Sequence, residues 1–156
     1  MRAQEKKFNI RVYGILLRNN SEVLVTDEFR LGTFMMKFPG GGLEFGEGTI
    51  DCLKREFREE LGQEIRVLSH YYTTDYYQPT RLIPDTKQLV SIYYLVEIIE
   101  PQRFTTVLTK FEIKDKDGEQ TFRWVSIKDT DHNEFTFPID QKVFCMLQEQ
   151  YKQNGG

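Results

Sequence analysis

The run Pro39-Gly40-Gly41-Gly42 constrains this chain more than any other stretch, because proline removes a backbone donor and consecutive glycines open conformations closed to other residues. An unusual loop is expected there. Shortly after it, Thr49 to Leu61 reads as the clearest helix in the sequence, with Thr49 as N-cap, Asp51 near the start and Gly62 as C-cap. With Leu53 at zero on a helical wheel, Ile50, Phe57 and Leu61 fall at roughly 60°, 40° and 80° and form one apolar stripe. Glu56, Glu60 and Glu59 fall near roughly -60°, -20° and -120°, on a separate face.

Carboxylates crowded within one turn repel one another by a few tenths of a kcal/mol or more per pair, so something should compensate. A hard divalent cation, Mg²⁺ or Mn²⁺, would turn that repulsion into binding. Taken alone, the face also fits a solvated acidic surface offset by Arg55 and Arg58. The loop from Gly40 to Glu47 favours the first reading, since glycine-exposed backbone beside the carboxylates can add a neutral oxygen and leave room for phosphates. Cys52, near roughly -100° and so beside the glutamate face, is an expected reporter for thiol reagents.

Around this centre, Phe8 to Leu17 and Glu22 to Thr26 read as a hairpin turned at Arg18-Asn19-Asn20-Ser21. Thr33 to Phe38, Ile65 to Tyr77, Gln88 to Ile99 and Gln120 to Val125 are further strands, Asp117-Gly118 is a hairpin-type turn, and Pro79 and Pro84 punctuate a polar connection. Val143, Phe144, Leu147 and Tyr151 recur at helical spacing within Ile139 to Tyr151. Strands with two helices predict an α+β fold, a layered α/β/α domain on a mixed sheet. One domain is expected over 1–152, with a flexible tail at 153–156.

Composition removes several function classes. The formal charge of -3 offers no basic excess for a nucleic-acid backbone, so polymeric nucleic acid is not expected as a partner. Apolar runs such as Tyr13 to Leu17 are far too short to span a membrane and no apolar signal core is visible, which makes the cytoplasm the expected location. Cys52 and Cys145 form no CxxC pair and read as buried free thiols. His70 and His132 lack metal-ligand spacing and read as structural or surface residues.

From Gly41 to Gln63 the sequence is GGLEFGEGTIDCLKREFREELGQ, and here it resembles the Nudix hydrolase family. The family signature is G, five residues, E, seven residues, then R-E-U-x-E-E-x-G-U, where U is bulky and aliphatic. Gly41, Glu47, Arg55, Glu56, Phe57, Glu59, Glu60 and Gly62 stand in register. Phe57 is aromatic where the family favours an aliphatic residue, and Gln63 is polar at the last U, a change expected to cost packing that Ile65 takes over. Coincidence at ordinary residue frequencies would occur in on the order of one chain in a million.

The resemblance implies the Nudix-type α/β/α sandwich and metal-dependent cleavage of a nucleoside diphosphate linked to another group. It implies Glu56 and Glu60 as principal metal ligands, Glu59 as a further ligand or general base, and Gly40 as a carbonyl ligand. Arg55 would orient the glutamates, while Gly41 and Glu47 support the loop and Glu44 sits at its rim. Cleaving a pyrophosphate independently suits such a site, because divalent metals neutralise phosphate charge and activate water. Asp85, Glu112 and Glu119 are alternative sources of a base. Arg30, Lys37 and Arg81 are candidates for phosphates, the tyrosines at 71–72, 76–77 and 93–94 for a stacking wall or for sheet packing, and Pro79 lies near a proline of some ADP-ribose pyrophosphatases. Two other readings use the same fold: a nucleotide-binding or regulatory module without catalysis, and isomerisation of an isoprenoid diphosphate. A homodimer through an edge strand is compatible with the family, though no periodic seam requires one.

Overall fold

The computed structural model describes residues 7–80 and 87–155, so Arg81, Pro84 and Asp85 lie outside the described residues. The strands are β1 (Lys7–Arg18), β2 (Glu22–Arg30), β3 (Thr33–Lys37), β4 (Gly40–Gly42), β5 (Ile65–Thr73), β6 (Lys87–Ile98) and β7 (Gln120–Ser126). Two helices, α1 (Thr49–Leu61) and α2 (Pro138–Gln153), and a short 3-10 turn at His132–Glu134 complete the fold. The main path of the sheet is β3-β2-β1-β6-β5, with β4 paired to β1 and β7 to β2. Only β1 and β6 run parallel among these pairs, so the sheet is mixed as expected.

Alternation along β1 builds the layers. Val12 and Leu16 face α1 and join Leu53, Phe57 and Leu61, whereas Tyr13 and Ile15 face α2 and join Val143, Phe144 and Leu147. Both helices therefore bury their apolar stripes against opposite faces of one sheet, which is the predicted sandwich. The β1–β2 turn places Asn19 and Asn20 both at φ 52°, the left-handed region that asparagine tolerates and a tight hairpin needs.

Several boundaries differ from expectation for physical reasons. Gly40–Gly42 is a short strand rather than a loop, pairing with Arg11–Tyr13. β2 continues four residues past Thr26 to Arg30, because Asp27 and Glu28 find buried cationic partners in Arg123 and Lys37. β5 stops at Thr73 instead of reaching Tyr77. Asp117-Gly118 does not join two strands; it docks on the β2–β3 turn, with Leu31 N donating to Asp117 Oδ1 and Gly118 N to Phe29 O. α2 includes Gln153, assigned above to the flexible tail. The N-cap of α1 is Gly48, while Thr49 Oγ1 instead lies 2.6 Å from Tyr94 OH. Gly62 caps the other end in the left-handed conformation, as expected.

Gln63 is fully buried without leaving a packing defect. Its amide donates to the carbonyls of Glu64 and Ile99 at 2.9 and 3.0 Å, and its Oε1 accepts from Arg103 N at 2.7 Å. It thus fastens the end of α1 to the segment after β6. Gln63→Leu should destabilise the protein by about 2 kcal/mol or more, since it orphans several buried backbone groups. Urea denaturation checks this; a stability equal to wild type would show that water replaces those bonds.

Candidate functional site

The site begins where β4 meets α1. Gly40 has φ 149°, and a Cβ there would lie 2.1 Å from the Val12 carbonyl oxygen. At Gly41 a Cβ would fall 2.4 Å from Glu56 Cδ. The absent side chains therefore let the helix seat a carboxylate directly against the strand.

Arg55 organises the acidic groups around it. Its Nε and one terminal nitrogen donate to the two oxygens of Glu47 at 3.0 and 2.7 Å, and that same nitrogen donates to the Gly42 carbonyl at 3.1 Å. The other terminal nitrogen donates to Glu56 Oε1 at 3.0 Å and Glu59 Oε2 at 3.1 Å, with Glu44 Oε1 at 3.7 Å. Hydrogen bonds from Arg55, then the Glu44 backbone N–H, pull the Glu47 carboxyl down to about 2. Arg55 is thus the basic partner of Glu56 and Glu59 on this face. Glu59 is turned outward at 59% exposure, whereas Glu56 is mostly covered.

Glu60 does not join that network. Its Oε2 lies 3.5 Å from Gln120 Nε2, which also donates to Thr26 Oγ1 at 2.9 Å. Burial, then the charge of Glu56, pushes its carboxyl up to about 7 despite the opposing pull of Lys37. Among the described residues, no three acidic, histidine or cysteine side chains converge as they would around a metal.

Beside these carboxylates lies a cavity of 290 Å³ lined by Tyr13, Met35, Leu89, Tyr93 and Ile139, with Arg11, Arg30 and Lys37 among its polar lining. Pro79 also lines it. At its floor Asp140 is fully buried and accepts from Tyr93 OH at 2.5 Å. Burial pushes the Asp140 carboxyl up to about 7. Arg11 donates to Tyr13 OH at 2.6 Å, and Tyr13, more than Glu56 and Glu28, holds its guanidinium firmly charged.

The helix residues and the loop thus come together, while Arg30, Lys37 and Pro79 line the cavity, whose Arg11 and Lys37 feel the charges of Glu56 and Glu60. Glu112 and Glu119 line neither this cavity nor a second one of 320 Å³ beside Glu60. His70 bonds Thr73 and packs edge-on against Tyr94, and His132 lies beside Asp131. Of the tyrosines, Tyr93 lines the cavity, while Tyr94 meets Thr49 and Tyr71 meets Gln150. Cys52 is buried, its thiol on the Gly42 carbonyl and pushed up to about 12 chiefly by burial, so it cannot serve as the accessible reporter expected above. Sequence reasoning missed Arg11, Glu28, Gln120 and Asp140; for Arg11 and Glu28 a charged residue inside or beside an apolar strand was the available signal.

Two predictions follow from this geometry. Gly41→Ala should cost about 1–3 kcal/mol by forcing Glu56 off the strand, and thermal melts matching wild type would contradict the close approach. Asp140 and Glu60 hold protons more tightly folded than unfolded, so stability falls as pH climbs from about 4 through about 7. Asp140→Asn keeps an acceptor for Tyr93 and should make that fall shallower in metal-free melts; an unchanged slope would rule out Asp140 as a contributor.

A domain model described as the NUDIX domain matches residues 7–147. The nucleoside triphosphatase NudI of Escherichia fergusonii is 29% identical over 93 residues, which cover 58% of this chain and 60% of that protein. NudI of Klebsiella pneumoniae is 30% identical over 94 residues, with the same coverage of 58% and 60%. The chain thus spans about 60% of the length of these curated relatives. A NUDIX hydrolase from Nitrosomonas europaea shares the fold at a TM-score of 0.65 and 18% identity, covering 94% of this chain and 89% of that one. Among the described residues no helix is long and apolar enough to cross a membrane. With the domain model running from β1 into α2 and the signature helix packed on a mixed sheet between two helical layers, the chain belongs to the NUDIX family.

Proposed function

We propose that the chain hydrolyses a pyrophosphate bond in a nucleoside diphosphate derivative, a class that includes nucleoside triphosphates, with Mg²⁺ or Mn²⁺ as cofactor. The observation that carries this is the adjoining of two features: signature carboxylates set against β4 by Arg55, and a cavity of aromatic and aliphatic walls with cationic residues at its side. The nucleoside triphosphatase relatives support the same substrate class.

The donor set suits a hard divalent cation. Glu56 and Glu60 offer carboxylate oxygens, Gly40 a backbone oxygen, and the partly buried Glu60 lacks a full counter-charge in the protein itself. Glu56, Glu60 and Gly40 would hold the ion, with Glu59 a further ligand or the base that takes a proton from water. When bound, the cation supplies charge neutralisation at the phosphates and lowers the barrier to attack by water. Arg55 fixes Glu56 and Glu59 in place, and Glu47 and Gly41 keep the loop against the helix. Tyr13, Tyr93, Leu89 and Ile139 bind the nucleoside, Asp140 meets a polar edge of it, and Arg11, Arg30 and Lys37 draw in the phosphates.

Glu60→Gln is nearly isosteric and should leave the fold intact while lowering turnover by about a hundredfold or more. The measurement is cation-dependent release of phosphate products from a panel of nucleoside triphosphates, nucleotide sugars and dinucleotides. Turnover by Glu60→Gln at the wild-type rate would sink the ligand assignment, and tight binding by wild type without cleavage would favour the non-catalytic module.

A further inference from the structure

Glu28 lies outside the signature, yet it faces the same space as the signature helix. Along β2, Leu24 packs into the core beneath α1, and strand alternation puts Thr26 and Glu28 on that face too. The register sets Thr26 opposite Lys37 and Glu28 opposite Gln120. Gln120 is the residue whose amide bonds Thr26 and reaches within 3.5 Å of Glu60 Oε2. Glu28 and Lys37 also line the nucleoside-sized cavity, and through Gln120 the same strand face reaches Glu60.

The partnering of Glu28 is incomplete. The residue is only 4% exposed, and Lys37 Nζ sits 3.2 Å from Oε2. Oε1 is buried without a hydrogen-bond partner, its nearest recorded cation being Arg30 Nε at 3.7 Å. A buried carboxylate oxygen left unbonded is costly, and native proteins usually satisfy such an atom with a ligand, water or ion. An oxygen-only donor set across from Gln120, which in turn reaches Glu60, suits a hard cation better than a phosphate, which Glu28 would repel.

We propose that Glu28 is a ligand of the divalent cation, contributed by β2 from outside the signature helix, with Lys37 acting as its counter-charge before the ion binds. The inference rests on the cation reading of the site given above. It adds a carboxylate from the sheet to those of α1, so the ion would tie the helix to β2 across the mouth of the cavity.

The test uses Mn²⁺ alone, titrated into the whole chain without nucleotide, with free Mn²⁺ read from its electron paramagnetic resonance signal. Glu28→Gln, Glu60→Gln and Lys37→Met are compared with wild type, each checked for folding by circular dichroism. Glu28→Gln should weaken Mn²⁺ binding about tenfold or more, as Glu60→Gln does, because ligand charge sets affinity. Lys37→Met should bind Mn²⁺ as tightly as wild type or more so, because it breaks the same ion pair yet leaves the carboxylate. Wild-type affinity in Glu28→Gln with weakened binding in Glu60→Gln would overturn this inference alone. Equal weakening in Glu28→Gln and Lys37→Met would overturn it too, by showing that the ion pair is only structural. Full affinity in both Glu28→Gln and Glu60→Gln would defeat the cation reading itself. Should Glu28→Gln fail to fold, Glu28→Asp takes its place, with the same weakening expected from the shortened reach.

Discussion

Gathering carboxylates on one helix face and its neighbouring loop costs free energy, and the rest of the site depends on how that repulsion is offset. Arg55 does most of it: one planar guanidinium engages Glu47, Glu56, Glu59 and the Gly42 carbonyl together. Its rigid fork suits such multiple contacts, which a lysine could not reproduce. The network reaches the backbone of β4, so helix, loop and strand are held as one unit. Glu60, on the inner side of the helix, stays outside this network and is left with Gln120 and the more distant Lys37. The protein thus neutralises the outer acidic groups itself and leaves the inner one short of positive charge, which is where a cation has most to contribute.

The sheet places the second half of the site. Because β1 pairs with β4 near Arg11–Tyr13 and with β2 only at its far end, the strands part beside α2. The cavity takes residues from both sides of that parting, including Tyr13 and Tyr93 on one side and Glu28 and Lys37 on the other. Apolar walls with a few fixed polar groups are what a small-molecule site requires. Its depth is set by Asp140, near the start of α2, which the Tyr93 hydroxyl anchors from β6.

Much of this was legible in the chain, and the division follows the range of the interactions. α1 with its Gly62 cap, α2 and the Asn19-Asn20 hairpin rest on local periodicity and turn chemistry, which a sequence displays directly. The signature residues were readable for the same reason, being confined to one loop and one helix. The charged end of β2 was not, because Asp27 and Glu28 look like turn residues until Arg123, 96 positions away, and Lys37 arrive in space. Asp140 was hidden likewise, since its partner Tyr93 is 47 positions distant. β4 escaped because its strand character comes wholly from pairing with β1 and not from glycine's own preference. Gln63 looked like a flaw in the signature until the carbonyls around it were seen.

The central claim is that Glu56 and Glu60 of α1 bind a divalent cation next to a nucleoside cavity. A crystal grown with Mn²⁺ and a non-hydrolysable nucleoside triphosphate analogue, with the ion located by its anomalous scattering, tests this most directly. The account predicts an anomalous peak in contact with Glu56 and Glu60, with the base seated between Tyr93 and Ile139. A peak remote from α1, or a nucleotide bound elsewhere while that cavity stays empty, would contradict it.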